Sequence, residues 1–207
     1  MSAITNWPHL YREGNAQGPV ALTLHGTGGN EHDSVQLAEM LLPGQPVISP
    51  RGKVNEHGMN RWFARAAEGV FDVDDVIFRA GELAAFLPEA LDHYGLSGRP
   101  VVALGFSNGA NIGQALALLH PSAVNAVVAF SGMYPFGERD PITDATGVKI
   151  FSAGGESDPM APHASANRLV EVARSHGAEV TRIVRPGGHG ITQPEVDQAS
   201  TWLASVL

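Results

Sequence analysis

Six consecutive residues, Val101-Val102-Ala103-Leu104-Gly105-Phe106, present no polar side chain to either face of an extended chain. A strand that cannot be solvated on either side belongs in the middle of a sheet covered on both faces, the usual setting of parallel strands. Parallel neighbours need long crossovers, so further strands should alternate with helices. The sequence has that alternation. Residues 20–24, 46–49, 126–130, 148–152 and 180–184 read as strands, and residues 9–12 as an added edge strand. Helical spacing covers residues 33–42, with His32 or Asp33 near the start, and runs from an Asp72 cap to about His93. It returns over residues 108–119, 164–176 and 194–207. Asp74 and Asp75 suit the first turn of the long helix, Pro88 should kink or split it, and Gly177 caps the helix before it. Weak periodicity and several glycines make residues 51–70 a long loop over the sheet edge. The expected fold class is α/β, a mostly parallel central sheet with helices on both faces, in one domain over residues 1–207.

The central strand runs straight into Gly105-Phe106-Ser107-Asn108-Gly109, and an Ala/Leu-rich helix leaves it. A strand-to-helix turn this tight strains the serine at its tip and needs glycines two before and two after it. The pattern alone is weak, but the strand and helix around it make Ser107 a candidate nucleophile. A serine hydroxyl needs a base, and this kind of turn takes an acid and then a histidine from later in the chain. His120 and His176 end helices, where an imidazolium complements the dipole, and His163 precedes one as a solvated loop residue. His189 lies in Pro186-Gly187-Gly188-His189-Gly190, just after the last strand and therefore at the sheet edge to which Ser107 projects. Asp140 and Asp144 precede the fifth main strand and lie at the opposite edge. Asp158 follows it, with Glu156 as the competitor. Ser107, Asp158 and His189 are the expected triad, the acid fixing the histidine tautomer.

A developing oxyanion needs placed donors. The Asn108 N–H follows the serine at a helix N-terminus, and Thr27, in His25-Gly26-Thr27-Gly28-Gly29-Asn30, is the candidate for the second. That glycine-rich loop lacks the Lys-Ser/Thr of a phosphate loop, and Glu31 replaces the third glycine of a dinucleotide fingerprint. His25 reads as a brace for the loop rather than a metal ligand beside His32 and Asp33. No metal and no cofactor are expected. Trp62, Phe63, Met133 and Tyr134, with Phe136, are candidates for a shallow acyl groove or for ordinary packing beneath a loop. Arg51 either grips an acidic substrate group or pairs with a carboxylate.

Composition narrows the partners. Among 207 residues, 13 basic and 21 acidic side chains leave a net charge of −8, which disfavours nucleic acid and anionic membranes. There is no cysteine, hence no thiolate nucleophile or disulfide framework. No apolar run reaches membrane-spanning length and none at the start reads as a signal peptide, so a cytoplasmic protein with a small-molecule ester as its partner is expected.

The His25-Gly26-Thr27-Gly28 loop, the Gly105–Gly109 turn and Asp158-Pro159 together resemble the phospholipase/carboxylesterase branch of the α/β-hydrolases, which includes acyl-protein thioesterases. The chain is most similar there to small bacterial esterases, which also carry parallels to Ser49-Pro50-Arg51-Gly52-Lys53, Arg61-Trp62-Phe63 and Gly188-His189. The resemblance extends from about Val20 to Leu203. It implies a cytoplasmic serine hydrolase with minimal or no lid, cleaving short acyl esters and often forming a homodimer. Thioesterases of this branch usually carry glutamine at the position of Asn108, and dienelactone hydrolases carry a cysteine nucleophile. A thioesterase or lactone hydrolase on the same triad is the alternative; a non-catalytic binding protein on the same fold is the remote one.

Overall fold

A strand survives in the middle of a sheet only if both faces of its neighbours can also be buried, and Val20–Leu24 and Ala126–Phe130 are buried at every residue. The computed structural model describes residues 3–141 and 143–207. Its first elements are α1 (Ala3–Asn6), β1 (His9–Arg12), β2 (Val20–Leu24), α2 (Val35–Leu41) and β3 (Val47–Pro50). Four short strands follow: β4 (Val54–Glu56), β5 (Met59–Arg61), β6 (Arg65–Ala67) and β7 (Val70–Phe71). Next come α3 (Val73–His93), β8 (Val101–Phe106), α4 (Asn108–Leu119) and β9 (Ala126–Phe130). The last are β10 (Lys149–Gly155), α5 (His163–Ser175), β11 (Glu179–Arg185) and α6 (Gln193–Val206).

Seven strands form one sheet in the order β1-β3-β2-β8-β9-β10-β11. Only β1 runs antiparallel, against β3. Alternate residues of β8 serve opposite layers. Val101 and Ala103 pack among residues of α3, α4 and α5, while Val102 and Leu104 pack with α2 and α6. The chain goes from β2 outward to β3, then returns to β8 on the other side of β2. The carboxyl ends of β2 and β8 therefore flank the point where strand order reverses, the usual place for a site in an open α/β sheet.

Three expectations change. Residues 51–70 are not one loop but carry two antiparallel hairpins, β4–β5 and β6–β7. The first turns at His57 and Gly58, both at positive φ (52° and 88°), and Asn55 Oδ1 accepts the Gly58 N–H. Two consecutive positive-φ residues suit a two-residue hairpin turn. Pro88 neither kinks nor splits α3, which stays one helix from Val73 to His93. Pro88 lies on the exposed side, so the carbonyl it leaves unpaired can face water, and buried Leu83, Phe86, Leu87 and Ala90 hold both halves to one face. The first turn of the same helix matches expectation, with Asp72 accepting the Asp75 N–H. The helix expected from residue 33 starts at Val35, after a turn in which Asp33 accepts the Asn30 N–H and donates its own N–H to the Asn30 carbonyl.

Ser107 sits between β8 and α4 with φ 54° and ψ −117°, a conformation that L residues rarely adopt. Both flanking glycines are required by space. A Cβ on Gly105 would meet the Gly109 carbonyl oxygen at 2.5 Å, and one on Gly109 would meet the Leu24 carbonyl oxygen at 2.0 Å. Gly109→Ala must push α4 away from the end of β2. It should cost about 3 kcal/mol of stability, seen as a lower denaturant midpoint.

Candidate active site

Three loops at the carboxyl edge of the sheet converge on Ser107. His189 Nε2 lies 3.0 Å from Ser107 Oγ, and His189 Nδ1 lies 2.8 Å from Asp158 Oδ2. The other oxygen of Asp158 accepts the N–H groups of Met160 (2.9 Å) and Ala161 (3.0 Å), so the buried carboxyl group is fully used. A carboxylate that accepts from Nδ1 leaves Nε2 free to take a proton from the hydroxyl. Glu156, the competing acid, is exposed.

The histidine loop is held from two sides. Arg185 Nη2 donates to the Gly188 and Gly190 carbonyls, while its Nε donates to Glu195 of α6 at 2.8 Å. Ser131 Oγ donates to the Gly190 carbonyl at 3.0 Å. Among the other histidines, His163 opens α5 and pairs with Asn167. His120 caps α4, and burial lowers its pKa.

Across the cleft, the N–H groups of Thr27 and Asn108 donate to no acceptor among the described residues. The loop that carries Thr27 is fixed by its surroundings. His25 Nε2 can only accept from the Gly52 N–H (2.9 Å), so its proton is on Nδ1, donated to the Gly26 carbonyl at 2.7 Å. Burial lowers the His25 pKa and keeps the ring neutral for that arrangement.

The end of the first hairpin closes over the same loop. The Gly28 N–H donates to the Asn60 carbonyl, Asn60 Nδ2 to the Gly29 carbonyl, and Arg61 Nη1 to Thr27 Oγ1, each at 2.9 Å. Trp62 Nε1 donates to the His25 carbonyl and its N–H to Asn108 Oδ1, both at 2.8 Å.

Several expected groove contacts are corrected. Trp62 is 2 % exposed, its ring inside the core and its polar groups holding both donor loops. Phe63 is fully buried, edge-on to Phe71. Tyr134 is buried and donates its hydroxyl to Asp140, and burial together with that bond raises its pKa. Arg51 binds Glu31 through two contacts of 2.5 Å, the carboxylate-pairing alternative. Of the expected groove residues only Met133 reaches the cleft, whose lining includes Thr27, Arg61, Ser107, Asn108, Met133 and Met160 and whose cavity volume is about 20 Å³. Sequence reasoning missed Arg61 and Met160. Arg61 stood beside Trp62 and Phe63, and a charge next to two aromatics was the available signal.

A parallel α/β sheet with this elbow and relay defines an α/β-hydrolase fold of the carboxylesterase kind. Residues 11–207 match the phospholipase/carboxylesterase family, and the chain belongs to it. It is 36% identical over 199 residues to the putative hydrolase MhqD of Bacillus subtilis (strain 168), covering 96% of this chain and 98% of that one. The Bacillus cereus carboxylesterase structure superimposes with a TM-score of 0.92 at 38% identity, over 97% of this chain and 95% of that one. A carboxylesterase structure from Mesorhizobium loti gives 0.88 at 30% identity, over 98% and 95%.

The Glu31–Arg51 pair has a pH signature. The Arg51 guanidinium holds the buried Glu31 carboxyl at about 2, against an ordinary value of 4.5. A depressed carboxyl pKa stabilises the fold fully above the unfolded value, and that stability is lost as pH falls through the folded one. Because Arg51 is 40% exposed, solvent screening leaves the pair about 2 kcal/mol. Glu31→Gln should therefore lower the unfolding temperature at pH 7, and the gap from wild type should close as pH falls from 4.5 towards 2, measured by circular dichroism melts.

Proposed function

We propose that this chain is a serine carboxylesterase that cleaves short acyl esters through an acyl-enzyme. One observation carries the reading: an unbroken hydrogen-bonded relay from Asp158 through His189 to a serine held at a strained turn. In the first half-reaction, His189 Nε2 takes the Ser107 proton as Oγ bonds to the ester carbonyl carbon. The carbonyl oxygen becomes an oxyanion and accepts from the Thr27 and Asn108 N–H groups, the latter at the N-terminus of α4. When the tetrahedral adduct collapses, the bond to the alcohol oxygen breaks and Nε2 returns the proton to that oxygen. Water then repeats the sequence: Nε2 takes its proton, hydroxide attacks the acyl carbon, and Ser107 leaves with the proton as the acid departs. Asp158 stabilises the imidazolium in both halves. The chain supplies every proton-transfer group and both donors, so the reaction needs no cofactor. The cleft bordered by Met133 and Met160 is narrow, with a cavity volume of about 20 Å³, and that favours short acyl groups.

Thioesters and lactones pass through the same tetrahedral chemistry, and relative rates on acyl-CoA, lactones and simple esters separate these readings. Wild type should release a burst of 4-nitrophenol from its acetate ester and take a fluorophosphonate label on Ser107. Ser107→Ala should lose roughly 10⁴-fold or more in kcat with folding unchanged. An unlabelled, inactive but folded wild type would instead identify a binding protein.

A further inference from the structure

Arg61 is 3 % exposed, yet it lines the cleft beside Ser107, Thr27 and Asn108. A guanidinium carries five N–H donors, and each takes an acceptor from protein, water or ligand. Nη1 donates to Thr27 Oγ1 at 2.9 Å and Nε reaches the Phe63 carbonyl at 3.4 Å. Nη2 has no hydrogen-bond acceptor among the described residues and is not fully enclosed, so a group from outside can reach it. The carboxylate within ion-pair range, Glu56, stands 3.8 Å from Nη1, too far for a hydrogen bond. Arg65 holds Glu56 through contacts of 2.8 to 3.1 Å. Glu68, the other acid at the cleft, is 61% exposed and paired with Arg65. Both neighbouring carboxylates are thus committed to a different cation. Burial, with Arg65 adding repulsion, lowers the Arg61 pKa, the sign of an under-compensated charge.

We propose that Arg61 anchors an anionic oxygen group of the substrate, so that the preferred ester carries a carboxylate on its acyl or its alcohol part. This rests on the serine-esterase reading and deepens it. A carboxylate reaching Nη2 would supply the acceptor that the protein does not and would pair a desolvated cation with its counterion. Arginine suits the task better than lysine because its planar fork can bond Thr27 with one arm and a ligand with the other.

The test compares charged with neutral esters of matched shape. On the acyl side, the 4-nitrophenyl half-ester of succinic acid is set against 4-nitrophenyl butanoate. On the alcohol side, 4-acetoxybenzoate is set against 4-acetoxybenzamide, with spontaneous hydrolysis subtracted throughout. Wild type should favour the acid in one of the two pairs by about tenfold or more in kcat/KM, mainly through KM. Because Arg61 also braces Thr27, Arg61→Met should slow all four esters, and the diagnostic is the ratio, which should fall to about one. Arg61→Lys should keep part of the preference, and it decides the matter with wild type if the methionine variant does not fold. Wild-type ratios near one in both pairs would overturn the proposal, as would a preference that survives loss of the guanidinium. No turnover of any ester and no serine labelling would instead overturn the esterase reading itself.

Discussion

Residues 60–62 join parts of the site that are far apart in sequence. Through Asn60 and Arg61 they grip the loop after β2, and through the Trp62 backbone they reach the residue after Ser107. The free N–H groups of Thr27 and Asn108 follow different strands, β2 and β8, and separate hydrogen bonds from one short segment fix the loops that carry them. An indole was needed there for reach. It crosses the core to the His25 carbonyl and fills the space with apolar ring. The hairpin ahead of it exists to deliver that segment, which explains why a stretch without periodicity is nonetheless ordered.

The scaffold was legible in the sequence where one physical rule dominated. Buried parallel strands cannot hide: β2, β8 and β9 were apolar at almost every position, and the ends of β10 and β11 marked the sheet edge by which Asp158 and His189 were chosen over the other acids and histidines. The glycines at 105 and 109 were equally readable, since each faces backbone within 2.5 Å. The side-chain assignments around the cleft were less so. Trp62, Phe63 and Tyr134 were placed by hydrophobicity, and hydrophobicity cannot tell a groove wall from a core. Their partners, His25, Phe71 and Asp140, come from elsewhere in the chain and become visible only after folding. The hairpin at His57-Gly58 was missed because its strands are three residues each, Val54–Glu56 and Met59–Arg61, too short to show an alternating apolar pattern.

Three of the enclosed carboxylates share one arrangement. Glu31 and Arg51, Asp158 and His189, and Glu195 and Arg185 are each coupled in pairs that also bond backbone or a neighbouring loop. Arg61 lacks such a carboxylate bond at the cleft, as Arg182 does within the sheet, and of the two it is Arg61 that borders Ser107.

Arg185 has a consequence in time as well as space. Its guanidinium ties the histidine loop to Glu195, which also accepts the N–H and hydroxyl of Thr192 where α6 begins. During synthesis α6 is the last of the described elements to emerge. A nascent chain could complete its sheet and already hold Ser107 at the strained turn while His189 remained without its brace. Docking of that helix would then add the last of the contacts that hold His189 beside Ser107.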